Sequence, residues 1–354
     1  MSRFLSATQK DLVPYVPGEQ PRDRSYIKLN TNESPYPPSA KAQAYAAEAA
    51  KSLQLYSDPN CTALTAKAAS YLGVLPENIL FTNGSDEALY FAFLAFCDSG
   101  KPAIFPDITY GFYKVYAQLN HVPYTQIPLK ADFTIDIADY SGNNATIFIA
   151  NPNAPTGLLL KLSQIEAILK ANPDSIVVID EAYVDFGGES AVKLIEKYEN
   201  LLVTRTFSKS RSMAGARLGM AIGSKALIDD LKAIKYSTNP YNVNAMTMAA
   251  GLGSMEDDDY FRANCQKICH TRAWTTQQLR QRGFTVLDSS ANFILATHPG
   301  LPGKQLYLDL KAKGILIRHF DTPRLTDYIR ITIGSSEEMA AFVQTIDTIM
   351  EETL

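Results

Sequence analysis

The chain reads as an α/β protein: a large domain around a mostly parallel sheet flanked by helices, followed by a smaller α+β domain. Three observations predict this. Through the first two thirds, short β-branched and aromatic runs alternate with longer helix-like segments, as in strand–helix–strand units. Each run gives way to a polar or Gly/Pro-bearing loop. After about residue 235 the rhythm changes to a long helical stretch and then closely spaced strand-like runs. With 354 residues and 46% hydrophobic content, the chain can bury a large core, and its length suits two domains.

The Pro-rich opening, through Pro14-Tyr15-Val16-Pro17-Gly18, predicts an extended N-terminal arm over 1–28 that belongs with the small domain. The large domain is expected over 29–237. Its strand candidates are Ile79-Leu80-Phe81, Ala103-Ile104-Phe105, Thr146-Ile147-Phe148-Ile149-Ala150, Ser175-Ile176-Val177-Val178-Ile179 and Leu201-Leu202-Val203-Thr204. The small domain is expected over 238–354. There Asn239-Pro240 precedes an Ala/Met-rich and then charged helical stretch reaching Gln281. Strand-like runs follow at Thr285-Val286-Leu287, Asn292-Phe293-Ile294-Leu295, Ile315-Leu316-Ile317 and Tyr328-Ile329-Arg330-Ile331-Thr332, and a final helix starts at about Glu337.

A net charge of −4 supplies no field that would draw nucleic acid or an anionic membrane, so local basic residues have local purposes. The opening Met1-Ser2-Arg3-Phe4-Leu5-Ser6 lacks the apolar core of a signal peptide, and no stretch approaches the roughly 18 uncharged apolar residues of a membrane span, so a cytoplasmic protein is expected. The cysteines, Cys61, Cys97, Cys265 and Cys269, are too few and scattered for a disulfide framework. Cys265, Cys269 and His270 lack two further ligands at zinc-site spacing, so free thiols on a helix are expected and no metal.

In doubly wound sheets ligands bind beyond the carboxyl ends of strands, so the loops there are read together. Lys209, in Thr206-Phe207-Ser208-Lys209-Ser210, lies just past an apolar run; a buried lysine there can become a neutral amine and form a Schiff base with an aldehyde cofactor. Ser208 and Arg217 suit that cofactor's phosphate, as hydroxyl and guanidinium make charge-assisted hydrogen bonds to a dianion. Gly84-Ser85-Asp86 opens an apolar helix after a strand, where free backbone N–H groups favour an anion. No G-x-G-x-x-G or Walker loop is present, which argues against dinucleotide and nucleoside triphosphate binding. Asp180 ends a buried strand and needs either several hydrogen-bond donors or a cationic partner, such as a protonated pyridine nitrogen; Tyr183 is placed to reach a ring oxygen. Two prolines and Gly157 stiffen the loop Asn151-Pro152-Asn153-Ala154-Pro155-Thr156-Gly157, and Tyr110 on another loop is placed to stack on an aromatic ring. Each motif alone would serve equally as an ordinary cap, turn or core residue. Five such features, each beyond a different strand of one sheet, are hard to assign to coincidence.

Together these residues resemble the fold-type I pyridoxal-phosphate aminotransferases, and within them the histidinol-phosphate aminotransferase family. The resemblance covers nearly the whole chain. It is carried by Pro14-Tyr15-x-Pro17-Gly18, Leu29-Asn30-x-Asn32-Glu33, Asp180-Glu181-Ala182-Tyr183, Ser208-Lys209-x7-Arg217, Ala291-Asn292-Phe293 and Ile329-Arg330-Ile331-Thr332-Ile333-Gly334. It implies a Schiff base on Lys209, Asp180 on the pyridinium, Tyr183 on the ring oxygen and Tyr110 stacked on the ring. The phosphate would be held by backbone amides around Gly84, Ser85 and Asp86, with Ser208 and Arg217. Tyr56 matches a tyrosine that reaches the phosphate from the neighbouring subunit, which implies a homodimer with shared active sites. One departure stands out: Ala154 precedes Pro-Thr-Gly where the family usually has Asn. Asn153, one residue earlier, is expected to take that ring-oxygen contact by a small loop adjustment.

For the substrate, the resemblance places Arg330 on the α-carboxylate, Arg318 and Tyr15 on a phosphate ester, and Asn32 and Asn292 near cofactor or substrate. The implied reaction is ping-pong transamination between histidinol phosphate with 2-oxoglutarate and imidazole-acetol phosphate with glutamate, a step of histidine biosynthesis. An aromatic amino-acid aminotransferase, a threonine-phosphate decarboxylase and a non-catalytic regulator of the same fold are the competing readings.

Overall fold

The computed structural model describes every residue except Met1, Asp11 and Leu354. Its strands in chain order are β1 (Ile27–Lys28), β2 (Ile79–Asn83), β3 (Ala103–Pro106), β4 (Tyr124–Ile127), β5 (Thr146–Ala150), β6 (Val177–Asp180), β7 (Leu201–Thr206), β8 (Leu218–Gly223), β9 (Thr285–Val286), β10 (Phe293–Thr297), β11 (Ile315–Leu316), β12 (Arg318–His319) and β13 (Tyr328–Thr332). Seven of them form one sheet in the order β2-β8-β7-β6-β5-β3-β4. All neighbours run parallel except β8, which is antiparallel to both β2 and β7.

The apolar runs are unbroken because both faces of this sheet are covered by helices. Ile147 and Ile149 enter one core while Phe148 and Ala150, pointing the other way, enter a second. Ile179 and Val178 divide likewise, as do Val203 and Leu202. Each fully buried side chain of this size contributes roughly 1.5–3 kcal/mol. Two strands of this sheet have no counterpart in the sequence-based expectation. β8 carries Gly219 and Gly223, and β4 exposes Thr125 and Gln126, so neither shows a continuous apolar run.

A four-stranded antiparallel sheet, β12-β13-β10-β9, follows in the chain, and β1 pairs in parallel with β11. The stretch expected to be one long helix is two, Ala245–Met255 and Asp258–Gln281. The closing helix Ser336–Thr353 buries Met339, Phe342, Val343, Ile346 and Ile349, the three- and four-residue spacing of a single face, against the small sheet. Cys265 and Cys269 are free thiols on the helix Asp258–Gln281, and no three-residue metal cluster exists among the described residues. No helix is long and apolar enough to cross a membrane among them.

Candidate functional site

Strand direction assembles the site. β2, β3, β5, β6 and β7 all end at one edge of the large sheet, and β8, running the other way, begins there. Ser85 therefore follows β2, Tyr110 follows β3, Ala154 follows β5, Asp180 closes β6, Lys209 follows β7, and Arg217 immediately precedes β8. These six residues line one pocket. It opens into a cleft of about 910 Å³ whose walls add Tyr15, Asn32, Arg318 and Arg330.

The floor is packed too closely for side chains. Gly84 starts the helix Gly84–Phe96 at φ +76°, and a Cβ there would stand 2.6 Å from Arg217 Nη2. On β8, a Cβ at Gly219 would lie 2.3 Å from the Ser85 nitrogen. The two glycines thus let β8 press against the helix start, where N–H groups lack intrahelical acceptors. Arg217 Nη2 donates to Asp86 Oδ2 at 2.9 Å and its Nη1 faces Ser208 Oγ at 3.5 Å. Tyr110 donates to Asp86 Oδ1 at 2.6 Å, which fixes its ring in the pocket wall.

Lys209 is half-buried, and its Nζ donates to the Thr31 carbonyl at 3.2 Å. Burial, with Arg330 and Arg217 nearby, pulls its pKa down to about 8; Glu33 and Asp86 oppose the shift. The free amine fraction therefore grows through the physiological range. Capture of an aldehyde by the apoprotein is expected to accelerate with rising pH and to level off above about pH 8, a profile stopped-flow absorbance measures directly. A rate independent of pH between 6.5 and 9.5 would contradict it.

Asp180 is driven the other way. Burial raises its carboxyl to about 6 against hydrogen bonds from Thr204 Oγ1 and Tyr113 Oη, each 3.1 Å long. Thr204 stands beside Asp180 in the parallel register, and Tyr113 lies three residues beyond Tyr110 on the helix Phe112–Leu119. Neither was singled out in the sequence. The strand register and helical spacing were the signals available.

Behind Lys209 lies a buried ionic cluster, also not anticipated. Arg205 pairs with Asp185, which accepts from Ser210 Oγ at 2.5 Å. Glu181 accepts from Ser190 Oγ at 2.6 Å and the Ala191 N–H at 2.5 Å. Arg211 donates to the Ser254 carbonyl at 2.9 Å and lies 4.1 Å over the Phe261 ring. Ser210 and Arg211, which directly follow Lys209, are thereby pinned.

Two expectations, for Asn153 and Asn292, need correction. Asn153 does not face the pocket: its Nδ2 donates to the Ile108 carbonyl and Thr156 Oγ1, both at 3.0 Å, and its Oδ1 accepts from Thr109 at 2.8 Å. Its amide secures the Tyr110 loop, and the methyl of Ala154 lines the cavity instead. Asn292 lines neither cavity; its Nδ2 donates to the Asn32 carbonyl at 3.0 Å. Asn32 edges the cleft, yet its amide turns to Tyr183 Oη, 3.0 Å away, so its polar end is spent on protein.

Tyr15 stacks on Phe112 at the cleft mouth, with centroids 4.3 Å apart. Arg318 reaches the Pro17 and Val16 carbonyls at 3.4 Å. Arg330 is half-buried between the Phe293 and Phe320 rings; Nη2 donates to the Asn30 carbonyl at 2.9 Å, and Nε is buried with no partner. Tyr56 stands apart from the pocket, 83% exposed and stacked on Tyr241.

Comparison with known proteins places the chain in a family. Residues 24–346 fit the family model "Aminotransferase class I and II". A histidinol-phosphate aminotransferase of Brachyspira hyodysenteriae is 51% identical over 99% of this chain and 100% of its own length. One from Marinomonas sp. is 48% identical with the same coverage. The crystal structure of histidinol-phosphate aminotransferase from Sinorhizobium meliloti, in complex with pyridoxal-5'-phosphate, shares the fold at a TM-score of 0.88 and 24% identity, over 99% of each chain. On this match and this identity, the chain belongs to the class I and II aminotransferases.

Proposed function

We propose that the chain moves an amino group between histidinol phosphate and 2-oxoglutarate, giving imidazole-acetol phosphate and glutamate, with pyridoxal phosphate as cofactor. The observation that carries this reading is Arg330. Its Nε is buried and unpartnered in a cleft that ends at Lys209 and has Arg318 at its mouth. An unsatisfied buried donor of this kind costs about 1–3 kcal/mol, which an anion arriving in the cleft recovers. Two guanidiniums along one cleft suit a phosphate ester in one half-reaction and a dicarboxylate in the other. The names carried by the Brachyspira and Marinomonas relatives agree.

The pocket fits the cofactor. A pyridinium beside Asp180 would give a cationic partner to a carboxyl that burial raises to about 6. The glycine-floored cradle of Gly84, Ser85 and Asp86, with Ser208 and Arg217, suits a phosphate dianion, and Tyr110 walls the ring. When bound, the cofactor supplies an aldehyde for amine condensation and a ring that accepts electron density from the broken bond. Lys209 provides the amine and carries the proton between the substrate α-carbon and the acceptor carbon, aided by a pKa near working pH. Asp180 keeps the ring nitrogen protonated. Tyr183 donates at the ring oxygen. Residues 29–237 would form the cofactor-binding domain, with 1–28 and 238–354 forming the arm and small domain.

The same reading includes a homodimer. Tyr56 is offered to solvent near exposed Leu53 and Leu55 and stacked on exposed Tyr241, which supports its reaching a neighbouring subunit's phosphate. Light scattering reading a dimer mass checks it.

A half-reaction screen following cofactor absorbance tests the substrate. Histidinol phosphate is expected to react faster than phenylalanine, tyrosine or threonine phosphate; faster phenylalanine would favour the aromatic aminotransferase. Arg318→Ala is expected to weaken histidinol phosphate by about 10- to 100-fold in kcat/KM, the cost of one charge-assisted contact, and glutamate much less. Equal losses would contradict its assignment to the phosphate ester.

A further inference from the structure

The pocket wall that carries Ala154 offers no amide to the ring oxygen, because Asn153 is committed elsewhere. Tyr183 is left as the hydroxyl on that side, and the direction of its proton becomes decisive. Asn32 controls it. This residue is buried, in the left-handed region at φ 56°, and all its polar atoms are engaged. Its backbone N–H donates to Thr332 Oγ1 at 2.9 Å, and its carbonyl accepts from Asn292 Nδ2 at 3.0 Å. Thr332 Oγ1, already an acceptor, turns its own proton to Asn32 Oδ1 at 3.0 Å. That contact fixes which end of the amide is oxygen, so Nδ2 is the atom 3.0 Å from Tyr183 Oη. The tyrosine oxygen accepts from Asn32, and its hydrogen is left to point into the pocket.

We propose that Asn32 is a positioning residue that, through Thr332 and Asn292, aims the Tyr183 hydroxyl hydrogen at the cofactor's ring oxygen and so takes over the task of the amide that Ala154 lacks. This rests on the cofactor reading above. Thr332 lies two residues from Arg330 on β13, so the strand that would grip the substrate's anion also sets the donor on the ring. The Asn32 donor also opposes the rise that burial imposes on the Tyr183 hydroxyl.

A hydrogen donated to the ring oxygen weakens that oxygen's hold on the proton of the neighbouring lysine nitrogen. The bound cofactor's absorbance should therefore change form at a lower pH when the donor is well aimed. In the holoenzyme, Asn32→Ala is expected to raise that absorbance midpoint by about one pH unit, the equivalent of one hydrogen bond. Asn32→Asp preserves volume but accepts from Tyr183, turning its hydrogen away, and should raise the midpoint at least as far. Tyr183→Phe should raise it too, and the Asn32→Ala, Tyr183→Phe double variant no further than Tyr183→Phe alone, since both act at one contact. Restoring an amide with Ala154→Asn in the Asn32→Asp background should bring the midpoint back down. An unchanged midpoint in Asn32→Asp, or shifts that simply add in the double variant, would overturn the proposal. Failure of the wild-type protein to bind the cofactor at Lys209 at all would instead sink the reading beneath it.

Discussion

Lys209→Ala is expected to lower transamination by about 10⁴-fold or more while leaving the fold intact. The size follows from what one side chain does in this pocket: it is the amine placed to hold the aldehyde and the base placed to move the substrate proton, and proton transfer alone contributes about 10²–10⁴-fold. The fold should survive because Lys209 Nζ makes a single hydrogen bond, to the Thr31 carbonyl, and because its lowered pKa marks a cation that burial disfavours. The turn itself is held by Ser210 on Asp185 and by Arg211 on Ser254. Single-turnover absorbance reads the rate, and thermal melting reads the fold. Borohydride reduction of the yellow wild-type protein followed by peptide mapping should place the label on Lys209; label elsewhere would contradict the assignment, as would a variant retaining a tenth of the activity.

Asp180→Asn separates catalysis from stability. Loss of the carboxylate proposed to keep the ring nitrogen protonated is expected to cost about 10²–10³-fold in kcat, the scale of removing one preorganised electrostatic contact. In the apoprotein the same change should stabilise. Asp180 is buried with a carboxyl raised to about 6 from 3.8, so its ionisation opposes folding. The sign follows: the penalty is absent below pH 3.8, where the group is protonated in both states, and complete above about 6. At pH 8 the asparagine is expected to gain roughly 2–3 kcal/mol, with Thr204 and Tyr113 rotating their hydroxyls to meet the amide. Near pH 4 the gain should vanish, and cofactor binding should erase it by supplying the missing cation. Melting curves of apo and holo forms at both pH values check each step; destabilisation of the apo variant at pH 8 would refute the account.

The strands that carry the chemistry were readable because burial on both faces writes continuous apolar runs, as in Leu201 to Thr204 and Thr146 to Ala150. β8 was not readable, for its glycines serve a close approach to the Ser85 turn that exists only in three dimensions. Arg217 was found by its spacing from Lys209, yet the reason it arrives at the site, the reversed direction of β8, was invisible. Asn153 shows the limit of motif transfer. The expected loop adjustment does not occur because its amide already holds Ile108, Thr109 and Thr156, partners about 45 residues away or in its own turn. The Arg205 and Asp185 pair escaped notice because charged residues on adjoining segments read as solvated until packing buries them.

The two sheets share the labour unequally. Lys209, Asp180 and Arg217 all hang from the carboxyl edge of the large sheet, whereas Tyr15, Arg318 and Arg330 come from the arm and from β12 and β13. Changes that retune which anion is read can thus accumulate on one framework while the bond-making groups stay fixed on another. A lineage built this way can try new substrates at little risk to its reaction, and swapping the arm with β12–β13 between relatives is the direct route to redirecting it.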